Sequence, residues 1–104
     1  MTRRTAEAHE RIEREIVQEK AATLGRAGER LEAALAELAA LHRAWHAAGA
    51  TRRATLAAEY DRAWRAAEMA RLVLVIQREA VGLRHHRDVE QQFPRPPRRP
   101  EGPP

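Results

Sequence analysis

The stretch from Met69 to Leu83, MARLVLVIQREAVGL, constrains this chain most, because only there do apolar residues crowd more than one side of a helix. At helical spacing Ala67, Ala70, Leu74 and Val81 form one apolar stripe, while Met69, Leu72, Val73, Ile76, Ala80 and Leu83 form a second. One neighbouring helix covers one stripe. A helix that is apolar over most of its circumference is buried by more than one partner, and the sequence offers a single other long helix. The second stripe is therefore expected to be an interface with another chain.

The competing reading of LVLVI is a short buried strand, since β-branched residues suit strands and so short a run cannot be typed by periodicity. Against it, no Pro or Gly interrupts the segment between Gly49 and Gly82, and no second strand-like run is present to pair with it. The run is also far shorter than the roughly 20 apolar residues that span a bilayer. No membrane association is expected.

The remaining composition agrees with long helices. Ala, Leu, Arg and Glu dominate, with one Tyr, one Phe and two Trp among 104 residues, enough for one domain at most. The absence of cysteine excludes disulfides, thiol nucleophiles and thiolate metal sites. The opening MTRRTAEAHERIERE carries basic residues without an apolar core, so no secretory signal is expected and a cytoplasmic location is. An isoelectric point near 10.9 suggests nucleic acid, yet 19 basic residues face 15 acidic ones and leave a formal charge of only +4.

The first helix is expected over residues 5–48, with Thr5 as its N-cap and Glu7 and Glu10 in its first turns. Val17, Leu24, Leu31, Leu38 and Trp45 recur every seven residues, the spacing of a coiled-coil seam. Gly25 and Gly28 either break this helix or allow a close approach, each at a cost of about 1 kcal/mol relative to Ala; a break there would give three helices. A turn over 49–51 follows, with Gly49 in the left-handed conformation and Thr51 or Thr55 as the next cap. The second helix, over 52–92, carries Leu56, Tyr60, Ala63, Ala67, Ala70, Leu74 and Val81 at steps of three and four. Gly82 followed by Leu83 is a point at which it can end, with Asp88 and Gln91 starting a further short turn. An antiparallel hairpin in this register sets Leu24 opposite Ile76 and Val17 opposite Leu83, with Trp45 and Trp64 at the turn end. The proline-dense FPRPPRRPEGPP, residues 93–104, cannot continue a helix and is expected to be a disordered, extended arm.

Chemistry-bearing patterns are sparse. His42 and His46 lie one turn apart, with Glu59 across the hairpin, and two His with a Glu can bind zinc. They read more simply as polar side chains near a solvated turn, and His9, His85 and His86 read likewise. Most carboxylates have an arginine three or four residues away, as in Glu7 with Arg11 and Glu68 with Arg71, which is an ordinary solvated helix face. No catalytic residue, cofactor or metal is expected. Arg52 and Arg53 with Arg43, Arg84 with Arg87, and the RPPRRP tail support an alternative, a nucleic-acid-associated regulator. The tail also holds PxxP spacings at Pro94 to Pro97 and Pro97 to Pro100, which can dock on aromatic grooves but arise readily in any proline-rich stretch.

Two segments, QEKAATLGRAGERLEAAL at Gln18 to Leu35 and VIQREAVGLRHHRD at Val75 to Asp88, resemble a small bacterial family of short helical proteins catalogued only as a domain of unknown function. The resemblance implies a bacterial, all-helical protein and brings no activity. The proline tail lies outside its pattern. In the hairpin register Glu19, Lys20 and Arg26 fall near Gln77, Arg78 and Glu79, so Glu19, Arg26, Gln77, Arg78 and Glu79 are expected to form a polar cluster that sets register. The sequence thus describes an all-α hairpin that dimerises into a four-helix bundle, and a non-catalytic interaction protein. Its partner is expected to be a second copy or another helical protein.

Overall fold

A computed structural model describes residues 2–100. Among them the chain forms α1 over Arg3–Ala47, α2 over Ala50–Ala80 and α3 over Arg87–Gln92, with no strand. The two long helices pack together as a hairpin, in a body of 74 × 22 × 16 Å.

Helix α1 starts earlier than expected because Thr2, not Thr5, caps it: the Thr2 hydroxyl accepts from the Thr5 amide at 3.2 Å. It then runs unbroken through Gly25 and Gly28. A Cβ at either glycine would meet nothing within 4 Å, so neither serves a close approach within the chain. The turn is only Ala48 and Gly49, both extended, and Gly49 takes φ −83° rather than the left-handed conformation. No side chain caps α2, and Thr51 lies inside the helix. The turn is secured instead by Arg53, whose Nε donates to the Trp45 carbonyl at 2.9 Å while its guanidinium lies 5.3 Å from the Trp45 ring centre.

The seven-residue seam of α1 and the three-and-four steps of α2 make the core. Near the turn Leu38, Leu41, Trp45, Leu56, Tyr60, Ala63 and Ala67 are buried together. Towards the open end the buried group is Ala27, Leu31, Leu74 and Val89, the last from α3. Leu24 joins this group, but Val17 does not meet Leu83. Helix α2 stops at Ala80 and the chain turns away, so every residue from His9 to Ala22 is exposed.

How α2 stops determines the rest of the molecule. Gly82 adopts φ +91°, the left-handed region that glycine enters without a Cβ penalty. The Leu83 amide donates to the Arg78 carbonyl at 3.0 Å and the Gly82 amide to that of Glu79 at 3.0 Å, the paired bonds of a Schellman ending. The chain then reverses. Val89 is buried against Ala27, Leu31 and Leu74, and Phe93 packs at the edge of the same group. The continuous helix over 52–92 is thus two helices separated by a reversal. The expected disordered arm is, over residues 93–100, an extended segment tied to the hairpin by hydrogen bonds and ion pairs; residues 101–104 lie outside the described residues.

Two kinds of glycine follow from this geometry. Gly25→Ala and Gly28→Ala should each stabilise the chain by about 1 kcal/mol, since both lie in helix with open space around them. Gly82→Ala should destabilise it by about 1 to 2 kcal/mol through the left-handed backbone. Thermal melts followed by circular dichroism separate the signs.

Candidate functional site

The residues expected at an interface divide in the structure. Val73 is half-buried beside the open-end core, and Ala80 is exposed at the end of α2. Met69, Leu72, Ile76 and Leu83 remain 60%, 51%, 53% and 43% exposed. The α1 overhang adds Ile12, Ile16 and Val17, all exposed. The hairpin and tail leave these large side chains largely open, with Met69 and Leu72 at the edge of a pocket shared with Trp64, Glu68, Arg71 and Arg95.

The expected polar cluster does not assemble. Arg26 pairs with Glu19 on its own helix at 3.2 Å, and among the described residues no hydrogen bond or ion pair joins either to Gln77, Arg78 or Glu79. Arg78 is taken up by the reversal. Its Nη2 donates to the His85 carbonyl at 2.9 Å and to Asp88 at 2.9 and 3.2 Å, and its Nε donates to His86 Nδ1 at 3.2 Å. Because His86 Nδ1 accepts, its proton belongs on Nε2, which faces Glu79 at 3.5 Å. These residues fix the return of the chain rather than the register of the two long helices.

A second site, unforeseen as a site, lies where the returning tail crosses α2. Arg71 is buried, at 5% exposed, and its guanidinium donates to the Phe93 carbonyl. Burial, reinforced by nearby Arg95, lowers its pKa from the usual arginine value. Glu68 pairs with Arg95 at 3.4 Å. The Arg98 guanidinium sits 3.9 Å from the Trp64 ring centre, and Arg99 makes a two-pronged contact with Asp61 at 2.7 and 2.8 Å. The Tyr60 hydroxyl donates to the Pro97 carbonyl at 2.7 Å. With its one proton so used, it accepts from His42 Nδ1 at 3.0 Å, which places the His42 proton on that nitrogen. Burial, then the charge of Asp61, raises the Tyr60 pKa, so it stays a neutral donor. Trp45 meets Tyr60 edge-on at 5.9 Å, and the Trp45 indole N–H is buried without a partner among the described residues.

The signals for this site were a tyrosine and an arginine on the seam: Tyr60 lies four residues after Leu56, and Arg71 four after Ala67 and three before Leu74. His42 turns to Tyr60 and packs its ring 4.4 Å from that of His46, and no group of three or more His, Cys, Asp or Glu that could hold a metal is gathered among the described residues. No described helix is long and apolar enough to cross a membrane. No family model, curated protein or solved structure matches the chain. The resemblance carried by the Gln18–Leu35 and Val75–Asp88 segments therefore rests on those residues alone.

Two outcomes follow for the tail. The hydrogen-bonded Arg99 holds the Asp61 carboxyl below its ordinary pKa, so the pair contributes stability above the unfolded value, about 4. That contribution is lost as pH falls through the lower folded value. Acidification below about pH 4 should therefore free the tail, read as a change in Trp45 and Trp64 fluorescence that Arg99→Ala reproduces at neutral pH. Tyr60→Phe should cost about 1 kcal/mol in denaturant unfolding, near the low end for a lost buried partner, because the exposed Pro97 can turn its carbonyl to water.

Proposed function

We propose that this protein is a small non-catalytic interaction module that pairs with a second copy of itself through the apolar surface its own hairpin leaves bare. One observation carries the reading: Met69, Leu72, Ile76 and Leu83 form an exposed apolar patch at the same end of the molecule as the uncovered Ile12, Ile16 and Val17. Contiguous exposed apolar surface marks association sites. The dimensions suit reciprocal docking. At 1.5 Å per residue the uncovered overhang from His9 to Ala22 is about 20 Å long, and the exposed face of α2 from Met69 to Ala80 about 16 Å.

Charge supports a second copy as the occupant. Across residues 3–20 Arg3, Arg4, Arg11, Arg14 and Lys20 are balanced by Glu7, Glu10, Glu13, Glu15 and Glu19, so this end of α1 carries no net charge and can lie on the partner's α2 without net repulsion. A two-fold pairing in which each overhang lies on the partner's α2 closes the assembly and gives four long helices around a shared core.

Light scattering on the purified chain at low and high salt tests the proposal. The expected result is a dimer that persists in high salt, since apolar burial is not screened, and that becomes monomeric with Leu72→Glu or Ile76→Glu. A monomeric wild-type chain at about 100 μM, a concentration well above typical specific dissociation constants, overturns it. If that monomer binds nucleic acid with an affinity falling steeply with salt, the arginine-based reading takes its place.

A further inference from the structure

We propose that Trp45, Tyr60, Asp61, Trp64, Glu68 and Arg71 form a receptor groove for an extended peptide rich in arginine and proline, and that residues 93–100 occupy it as a built-in competitor of the same chemistry. The groove does more than shelter apolar surface. It reads main chain and side chain separately, as strand-like and polyproline recognition does.

The main chain is read by two buried donors. Arg71 donates to the Phe93 carbonyl and Tyr60 to the Pro97 carbonyl, two points on an extended segment whose prolines leave it few backbone donors of its own. The side chains are read by charge and by ring faces. Each arginine of the segment has its own partner: Arg95 has Glu68 at 3.4 Å, Arg98 has the Trp64 ring at 3.9 Å, and Arg99 has both Asp61 oxygens. Guanidinium over indole is the strongest of the common cation–π pairings, and the forked Arg–carboxylate contact is selective for arginine over lysine. A segment kept only as a cover would need Val89 and Phe93, not three separately received arginines.

The occupant is replaceable. The chain enters the groove through Gly82 and the non-helical residues up to His86, and the main α1 and α2 core near the turn is built without the tail. The anchoring ion pairs are partly open to water, with Glu68 30% and Asp61 36% exposed at the side chain. Tethering nevertheless gives the tail an effective concentration of about millimolar. A free ligand of the same chemistry therefore competes poorly until the tail is weakened or removed from the groove.

The test uses the full chain and a fluorescent peptide of sequence FPRPPRRP, that of residues 93–100, titrated by anisotropy. Light scattering on the same samples follows self-association, because Met69 and Leu72 border the groove beside Glu68 and Arg71, so that a change of mass is told apart from peptide binding. In a chain carrying Arg95→Ala, Arg98→Ala and Arg99→Ala, the peptide should bind about ten-fold or more tighter than to the wild type, because the competitor has been disarmed. Adding Asp61→Lys and Glu68→Lys should abolish that binding, and the peptide FPAPPAAP should not bind at all. Equal binding by the wild-type and disarmed chains, or equal binding of the two peptides, overturns the proposal. Should the disarmed chain lose helicity, a charge exchange decides instead. Asp61→Arg should release the tail, seen in tryptophan fluorescence, and adding Arg99→Asp should restore it; failure of the second change to restore the signal also overturns the proposal.

Discussion

At the end of α2 the last carbonyls are satisfied by a chain that turns back on itself, with Gly82 at φ +91° and the Leu83 and Gly82 amides returned to Arg78 and Glu79. Every contact of the C-terminal segment depends on that turn. Had α2 continued past Ala80, Val89 would lie along the α1 overhang, away from Ala27 and Leu31, and Phe93 could not reach Arg71. Arg78 reinforces the reversal from within by holding the His85 carbonyl and Asp88 with one guanidinium. Its side chain is only 16% exposed, so its charge is well placed only while those acceptors stay near.

The reversal answers a weakness in the hairpin. Ala63, Ala67 and Ala27 line the contact between the long helices, and such small residues bury little area each. The returning segment adds a third layer at low helical cost. Its prolines forgo backbone bonds, and side chains of α2 supply the missing donors at Phe93 and Pro97. The dependence is strongest at Arg71, whose hydrogen-bond acceptor is the Phe93 carbonyl, whereas the Tyr60 hydroxyl also has His42 Nδ1 at 3.0 Å. The ion pairs at Glu68 and Asp61 are partly solvated and individually worth little in stability. Their geometry, a forked contact at Asp61 and a single one at Glu68, fixes where Arg99 and Arg95 lie.

The long helices and the end of α2 were readable because each has a local signal. The seven-residue spacing located Leu31, Leu38 and Trp45, the three-and-four steps located Leu56, Tyr60, Ala63, Ala67 and Leu74, and Gly82 with Leu83 announced an ending. The position of the tail had no such signal. Proline content rules out helix but is silent on whether an extended segment is held by side chains elsewhere, so a free arm was the natural reading. The same limit explains Arg78. Register placed it near Glu19 and Arg26, but once the chain reverses, Asp88 lies closer than anything across the hairpin. Arg71 sat on the apolar seam in plain view, and its charge disguised it as one half of a surface pair with Glu68.

The two ends of the molecule are left in opposite states. At the turn end aromatic rings, the tail and Arg53 leave the core covered. At the other end α1 runs on alone for several turns, and an isolated helix of that length is marginal in water even with favourable sequence. Exposed pairs such as Arg3 with Glu7 and His9 with Glu13 support it by a few tenths of a kcal/mol each. They do nothing for Ile12, Ile16 and Val17, which are left exposed, as Ile76 and Leu83 are at the end of the packed region. Covering these residues requires a surface that the described residues do not provide, whereas the groove near the turn is already complete within one chain. The two regions adjoin on α2, where Met69 and Leu72 line the same surface pocket as Trp64, Glu68, Arg71 and Arg95, so whatever covers the bare apolar face of α2 also borders the returning tail.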